Sequence, residues 1–121
     1  MFNKAIPVLH VSRAAAAEEF YCHWLGFRKT SAYRFDEAQP DPCYMSLVRD
    51  GVTLHLSSFS GDGVSGGVVF LEVDDLDGLH AELVANEVSI ALAPTNQSWG
   101  NREMYVDDPD GNSLRFVQAS K

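Results

Sequence analysis

Apolar and polar positions alternate along the chain in a pattern that changes period and then repeats. Residues 5–11 (AIPVLHV) are β-branched and apolar, which predicts a strand. Ser12 is placed to cap a helix from Arg13 to about Leu25, and Gly26 to end it in a left-handed conformation. Ala17, Phe20, Tyr21 and Trp24 recur at i, i+3, i+4, i+7 and make one apolar stripe. Strands are predicted at about 27–34, 43–48 and 52–59, the last two joined by a tight turn at Asp50-Gly51. A glycine- and serine-rich stretch, Ser60 to Gly67, leads into a second round. That round reads as a strand at 67–73, a helix from Asp75 to Asn86 with Leu76, Leu79 and Leu83 on one face, and strands at about 88–92, 103–107 and 112–118. Asp108-Pro109-Asp110-Gly111 makes the final turn, because proline presets φ at its second position and glycine closes it.

The two rounds superpose by counting. Val11 matches Val73 at an offset of 62, and Asp50-Gly51 matches Asp110-Gly111 at an offset of 60. Leu54 and Leu56 then fall on Leu114 and Phe116. A repeat of this length in one domain means that each half pairs with the other to complete a core. The expected class is α+β: one domain over residues 1–121, with βαβββ repeats at about 4–60 and 66–118 forming one curved mixed sheet around a groove.

Strand parity then sorts the side chains, since alternate residues face opposite sides. Leu54 and Leu56 share one face of their strand; Thr53, His55 and Ser57 share the other. In the repeat mate Leu114 and Phe116 oppose Ser113, Arg115 and Val117. The first strand of each half, apolar on both faces as a covered strand would be, is expected to turn Ile6, Val8 and His10, or Val68, Phe70 and Glu72, toward the groove. The lining is mostly apolar with a few polar groups, which suits a small-molecule pocket.

Composition narrows the partners. Nine basic against 17 acidic residues give a net charge of −8 in 121 residues. Such a surface disfavours nucleic acid and anionic lipid and favours cationic ligands. No apolar run approaches the ~20 residues of a membrane span, and the start Met1-Phe2-Asn3-Lys4 leads into no signal-peptide core, so a cytoplasmic protein is expected. Cys22 and Cys43, without CxxC spacing, fit a reducing compartment and read as inert thiols.

Three features together, namely the repeat, the helix ending AAEEFYCHWLGF and the segment WGNREMYVDDPDGNSLRF, resemble the vicinal oxygen chelate superfamily, which includes glyoxalase I; the nearest likeness is to its bleomycin resistance proteins. The resemblance runs essentially end to end and implies the fold, while function has to be argued at the site. It implies four metal-ligand positions, occupied here by Ile6, His55, Val68 and Arg115. Two are hydrocarbons and Arg115 is a permanent cation, so no metal and no cofactor are expected. The resemblance further implies a homodimer, with Pro7 marking an N-terminal arm exchanged between subunits, and a groove tryptophan at Trp99 with Phe70 near a second aromatic position.

Each candidate has a plainer reading beside it. Trp99 is either a ligand platform or a lid packed on its own loop, Pro94 to Ser98. His55 and Arg115 either contact ligand or serve carboxylates such as Glu103 and Glu72. His10 either pairs with Glu72 for proton transfer or is structural. Asp107-Asp108-Pro109-Asp110-Gly111 lacks calcium-loop spacing and reads as a turn. The expected ligand-binding set is therefore Trp99, Phe70, His55, Arg115, His10, Glu72 and Glu103, with no catalytic residue. The expected function is sequestration of a bulky cationic small molecule such as a bleomycin-type antibiotic. The alternatives are a vicinal oxygen chelate enzyme with a non-standard site, of lyase, dioxygenase or thiol transferase type, and a drug-sensing module.

Overall fold

A computed structural model describes residues 1–120. The elements are β1 (Val8–His10), α1 (Ala14–Glu18) continued by a π-helical segment (Glu19–Trp24), β2 (Arg28–Arg34), β3 (Cys43–Arg49), β4 (Val52–Ser57), β5 (Val68–Glu72), α2 (Leu76–Ala85), β6 (Leu92–Asn96), β7 (Arg102–Asp107) and β8 (Ser113–Gln118). Two compact units divide at Gly67/Val68, so each βαβββ repeat is a unit with its own four-stranded mixed sheet. The paired βαβββ repeats of the expected α+β class are thus present, each contributing four mixed strands.

In the first unit the strand order is β1-β4-β3-β2, with β1 parallel to β4 and the other pairs antiparallel. Leu9, Leu56 and Met45 align across three strands on a buried face, joined by Leu54 and Leu47. The helix packs against β4 with Ala14, Ala17, Phe20 and Tyr21 buried. Trp24 leaves the predicted stripe and is 37% exposed. The cause is the wider π turn, in which Leu25 N–H reaches back five residues to Phe20 O, so residues after Phe20 no longer follow the 3.6-residue period. Ser12 does not cap this helix. Arg13 holds the cap position without a side-chain bond, and Asp41, 27 residues away, accepts from Ala14 N–H at 2.9 Å. Gly26 ends the segment at φ 78°, as expected.

Asp50 and Gly51 both have positive φ, 51° and 79°, which is the primed turn that matches strand twist. Beyond β4 an open cleft of about 680 Å³ is lined by His10, Ser58 and residues of the loop 60–65. β1 is shorter than predicted because Pro7 has no N–H; its carbonyl still accepts from His55 N–H at 3.0 Å.

The second unit repeats the order as β5-β8-β7-β6. Val69, Leu71, Leu114, Phe116, Met104 and Val106 form its buried face, over which α2 lays Leu76 and Leu83. Asp75 caps α2 by accepting from Gly78 N–H. The strand predicted at 88–92 begins only at Leu92. Val88 is instead used to close the helix: its N–H bonds Leu83 O and the N–H of Glu87, at φ 62°, bonds Val84 O, the paired bonds of a Schellman ending. β1 and β5 are edge strands with one exposed face, not strands covered on both sides.

Candidate functional site

The exposed face of the second unit is laid out by register. Phe70, Arg115 and Tyr105 lie side by side on β5, β8 and β7, while Glu72, Val117 and Glu103 form the next row. The alternation eBeBe along β5 leaves Val68, Phe70 and Glu72 exposed, as parity predicts, and Phe70 is 59% exposed. Val117 departs from the expectation of a polar row by being buried.

Glu103 sits buried on this face with both oxygens engaged. Tyr105 hydroxyl donates to Oε1 at 2.6 Å and Trp99 Nε1 donates to Oε2 at 2.8 Å. These two donors, with the nearby Arg115 charge, hold the Glu103 carboxyl below the ordinary glutamate range, and the same bond to Glu103 pushes the Tyr105 phenol up. Arg115 stacks its guanidinium on the Tyr105 ring, 4.8 Å from the centroid. Trp99 stands on the tight turn from Gln97 to Asn101, not on a long loop, since Pro94 to Asn96 belong to β6. Its ring is pinned by one N–H and is 64% exposed, so it is not packed as a lid on its own loop.

The two histidines lie in the first unit. His55 Nδ1 is 2.7 Å from Tyr44 hydroxyl, with the rings edge to face. His10 pairs in register with Ser57 and borders the cleft. Ser57, expected on an open polar face, is buried and donates to Asp62 at 2.7 Å. The structure thus brings Trp99, Glu103, Arg115, Phe70 and Glu72 onto one face, and places His10 and His55 on the other unit. Sequence reasoning missed Tyr105 and Tyr44. Parity could have found Tyr105, which lies two residues from Glu103 and hence on the same side of β7.

Matching to protein families finds the one described as glyoxalase superfamily protein, over residues 1–121. The chain belongs to the glyoxalase superfamily. Among solved structures, this glyoxalase superfamily chain is similar to a bleomycin-binding protein complexed with bleomycin: 26% identity, 98% of this chain and 100% of that one covered, TM-score 0.76. It is also similar to a bleomycin resistance determinant encoded on the transposon Tn5, at 25% identity, with 99% and 100% covered and TM-score 0.77. Lactoylglutathione lyase from Agrobacterium tumefaciens shares the fold at 18% identity, 98% and 95% coverage and TM-score 0.73. No curated protein matches the sequence.

The metal that the superfamily resemblance implies does not fit the donors at the corresponding positions. Ile6 and Val68 carry no lone pair, Arg115 is a fixed cation, and the Nδ1 of His55 is committed to Tyr44. Among the described residues no three His, Cys, Asp or Glu side chains come together as a metal site would require. The thiols of Cys22 and Cys43 are pushed above their ordinary value, chiefly by burial, which disfavours the nucleophilic thiolate. Among the described residues no helix is long and apolar enough to cross a membrane.

Proposed function

We propose that this glyoxalase superfamily chain is a metal-free binding protein of the bleomycin resistance type, which sequesters a bulky cationic small molecule without modifying it. The observation that carries the reading is Trp99: an exposed indole fixed by Glu103, on the face that also bears exposed Phe70, is a rigid stacking surface, ordered before the ligand arrives. The similarity to the bleomycin-binding protein and to the Tn5 determinant supports the ligand class. The net charge of −8 raises the local concentration of a cation. Protection follows by mass action, with binder in excess of drug, and needs no turnover. The proposed ligand contacts on the second unit are Trp99, Phe70, Arg115, Glu72 and Glu103; the proposed contacts of the first unit are His10 and His55. The working form is a cytoplasmic homodimer with exchanged N-terminal arms.

Titration calorimetry with metal-free and copper-loaded bleomycin tests this. We expect saturable binding well below the millimolar range, weakened about tenfold by Trp99→Ala through loss of one stacked ring. Absence of binding below millimolar removes this ligand. Stoichiometric metal at His55 together with turnover of a glyoxalase-type thiol adduct replaces sequestration by a vicinal oxygen chelate enzyme of lyase, dioxygenase or thiol transferase type.

A further inference from the structure

The charges on the exposed face of the second unit are not equally available. Arg102 has the parity of Met104 and Val106, on the side of β7 that α2 covers, and is tied to Asp77 of α2 at 2.9 Å. Glu103 has an acceptor bond on each oxygen and is buried, so its charge is already answered by Tyr105 and Trp99. Arg115 differs from both. It is exposed, and among the described residues it makes no hydrogen bond and no salt bridge; it stacks on the face of Tyr105 and lies near the Glu103 charge. A guanidinium stacked by its plane keeps its edge, with five N–H donors in a fixed fork, available for a partner. That fork matches the two oxygens of a carboxylate.

What flanks the fork is aromatic. Phe70 is the register partner of Arg115 on β5, about 4.8 Å away across the ladder, and Tyr105 is the partner on β7. Trp99 is anchored one row further, above Glu103. Phe70 thus neighbours Arg115 across the ladder, and Trp99 is tied to the adjacent row of the same face through Glu103. Glu72 is on the same face one row from Arg115, exposed and without a salt bridge to it, and can answer a positive group elsewhere on the same ligand.

We propose that Arg115 anchors a carboxylate carried on a planar aromatic ring system, the ring stacking on Phe70 and Trp99. The ligand is therefore amphoteric, carrying this carboxylate beside its cationic group, and not a simple polycation. This rests on the reading of the face as a ligand site and adds the chemical group the face selects. A phosphate dianion is disfavoured, because Glu72 and Glu103 both stand one row away.

The test is calorimetric titration of the full chain with three probes that share a ring and differ in charge: 2-naphthoate, 2-naphthamide and 1-naphthylmethylammonium. We expect naphthoate to bind about tenfold more tightly than naphthamide, the margin a charge-assisted bidentate pair supplies. Arg115→Met is expected to bring naphthoate down to the naphthamide level and so to abolish the difference between the two probes. Arg115→Lys, which keeps the charge and loses the fork, is expected to fall between. Because Arg115 is exposed, both variants should fold, and an unchanged circular dichroism spectrum checks that. Equal binding of naphthoate and naphthamide, or preference for the ammonium, overturns the anchor and leaves the stacking surface standing. Binding of none of the three overturns the anchor and the stacking surface together, and bleomycin titration then separately decides whether sequestration survives.

Discussion

Glu103 is a buried carboxylate whose charge is useful only while two donors face it. Its pKa lies below the ordinary glutamate value because Tyr105 and Trp99 bond the ionised form. The linkage has a definite sign: the folded state binds the proton less readily than the unfolded state, so this contribution is fully present above the ordinary glutamate range and is lost as pH falls below it toward the folded value. Wild type should therefore lose stability on acidification in step with a change in Trp99 fluorescence. Glu103→Gln should be less stable at pH 7 and flatter below pH ~4.5, the range where glutamate titrates; an unaltered acid profile in that variant would count against the network. Gly26 makes a second demand at single-residue scale. At φ 78° an L side chain is strained, and a Cβ there would stand 3.0 Å from Arg49 Nη1, which donates to Leu25 O at 2.7 Å. Gly26→Ala should cost about 1–2 kcal/mol in urea denaturation. Glu87 presents the converse case, an L residue held at φ 62°, and Glu87→Gly should stabilise by about 0.5–1 kcal/mol.

At the scale of elements, what was legible in the sequence is what short-range chemistry decides. Asp50-Gly51 folds as the turn its φ requirements predict. The Asp108 turn likewise stands as read: Asp108 Oδ1 accepts from Asp110 and Asn112 N–H, and Oδ2 accepts from Asn112 Nδ2 at 2.8 Å. Strand parity placed Phe70, Glu72 and Arg115 on one face because period-two alternation is local. The misreadings share a different cause. The cap on α1 comes from Asp41 across 27 residues, and no neighbouring residue announces it. Val88 has strand propensity, yet helix closure uses it first, which shifts β6 to Leu92–Asn96. Parity puts Tyr105 on the side of Glu103, but that it ties Glu103 to Arg115 appears only once the register of β7 on β8 is known. Asp108→Ala tests the local device. It removes the carboxylate that accepts from the buried Asn112 side chain and from two backbone N–H groups, so thermal unfolding should report a loss of about 2–3 kcal/mol. A loss under about 0.5 kcal/mol would mean that water replaces the carboxylate there.

The whole chain divides its charge unevenly between the repeats. Residues 1–67 carry six basic and seven acidic side chains, while residues 68–121 carry three and ten, so seven of the eight net negative charges belong to the second repeat. The face bearing Trp99, Phe70 and Arg115 thus lies on the strongly acidic unit, and long-range and contact electrostatics act there with opposite signs. The field of the unit draws a cation from a distance, whereas the fork of Arg115 selects an anionic group at contact. Salt separates the two, because screening shortens the field from about 30 Å at 0.01 M to about 8 Å at 0.15 M and hardly touches a stacked, hydrogen-bonded pair. Bleomycin affinity should therefore fall several-fold between those concentrations. Naphthoate affinity should hold level or rise, since the same salt removes repulsion from the surrounding carboxylates while the Arg115 contact persists. If bleomycin affinity instead proved independent of salt, the acidic surface would contribute nothing to capture, and the ligand would be held by ring stacking and the guanidinium alone.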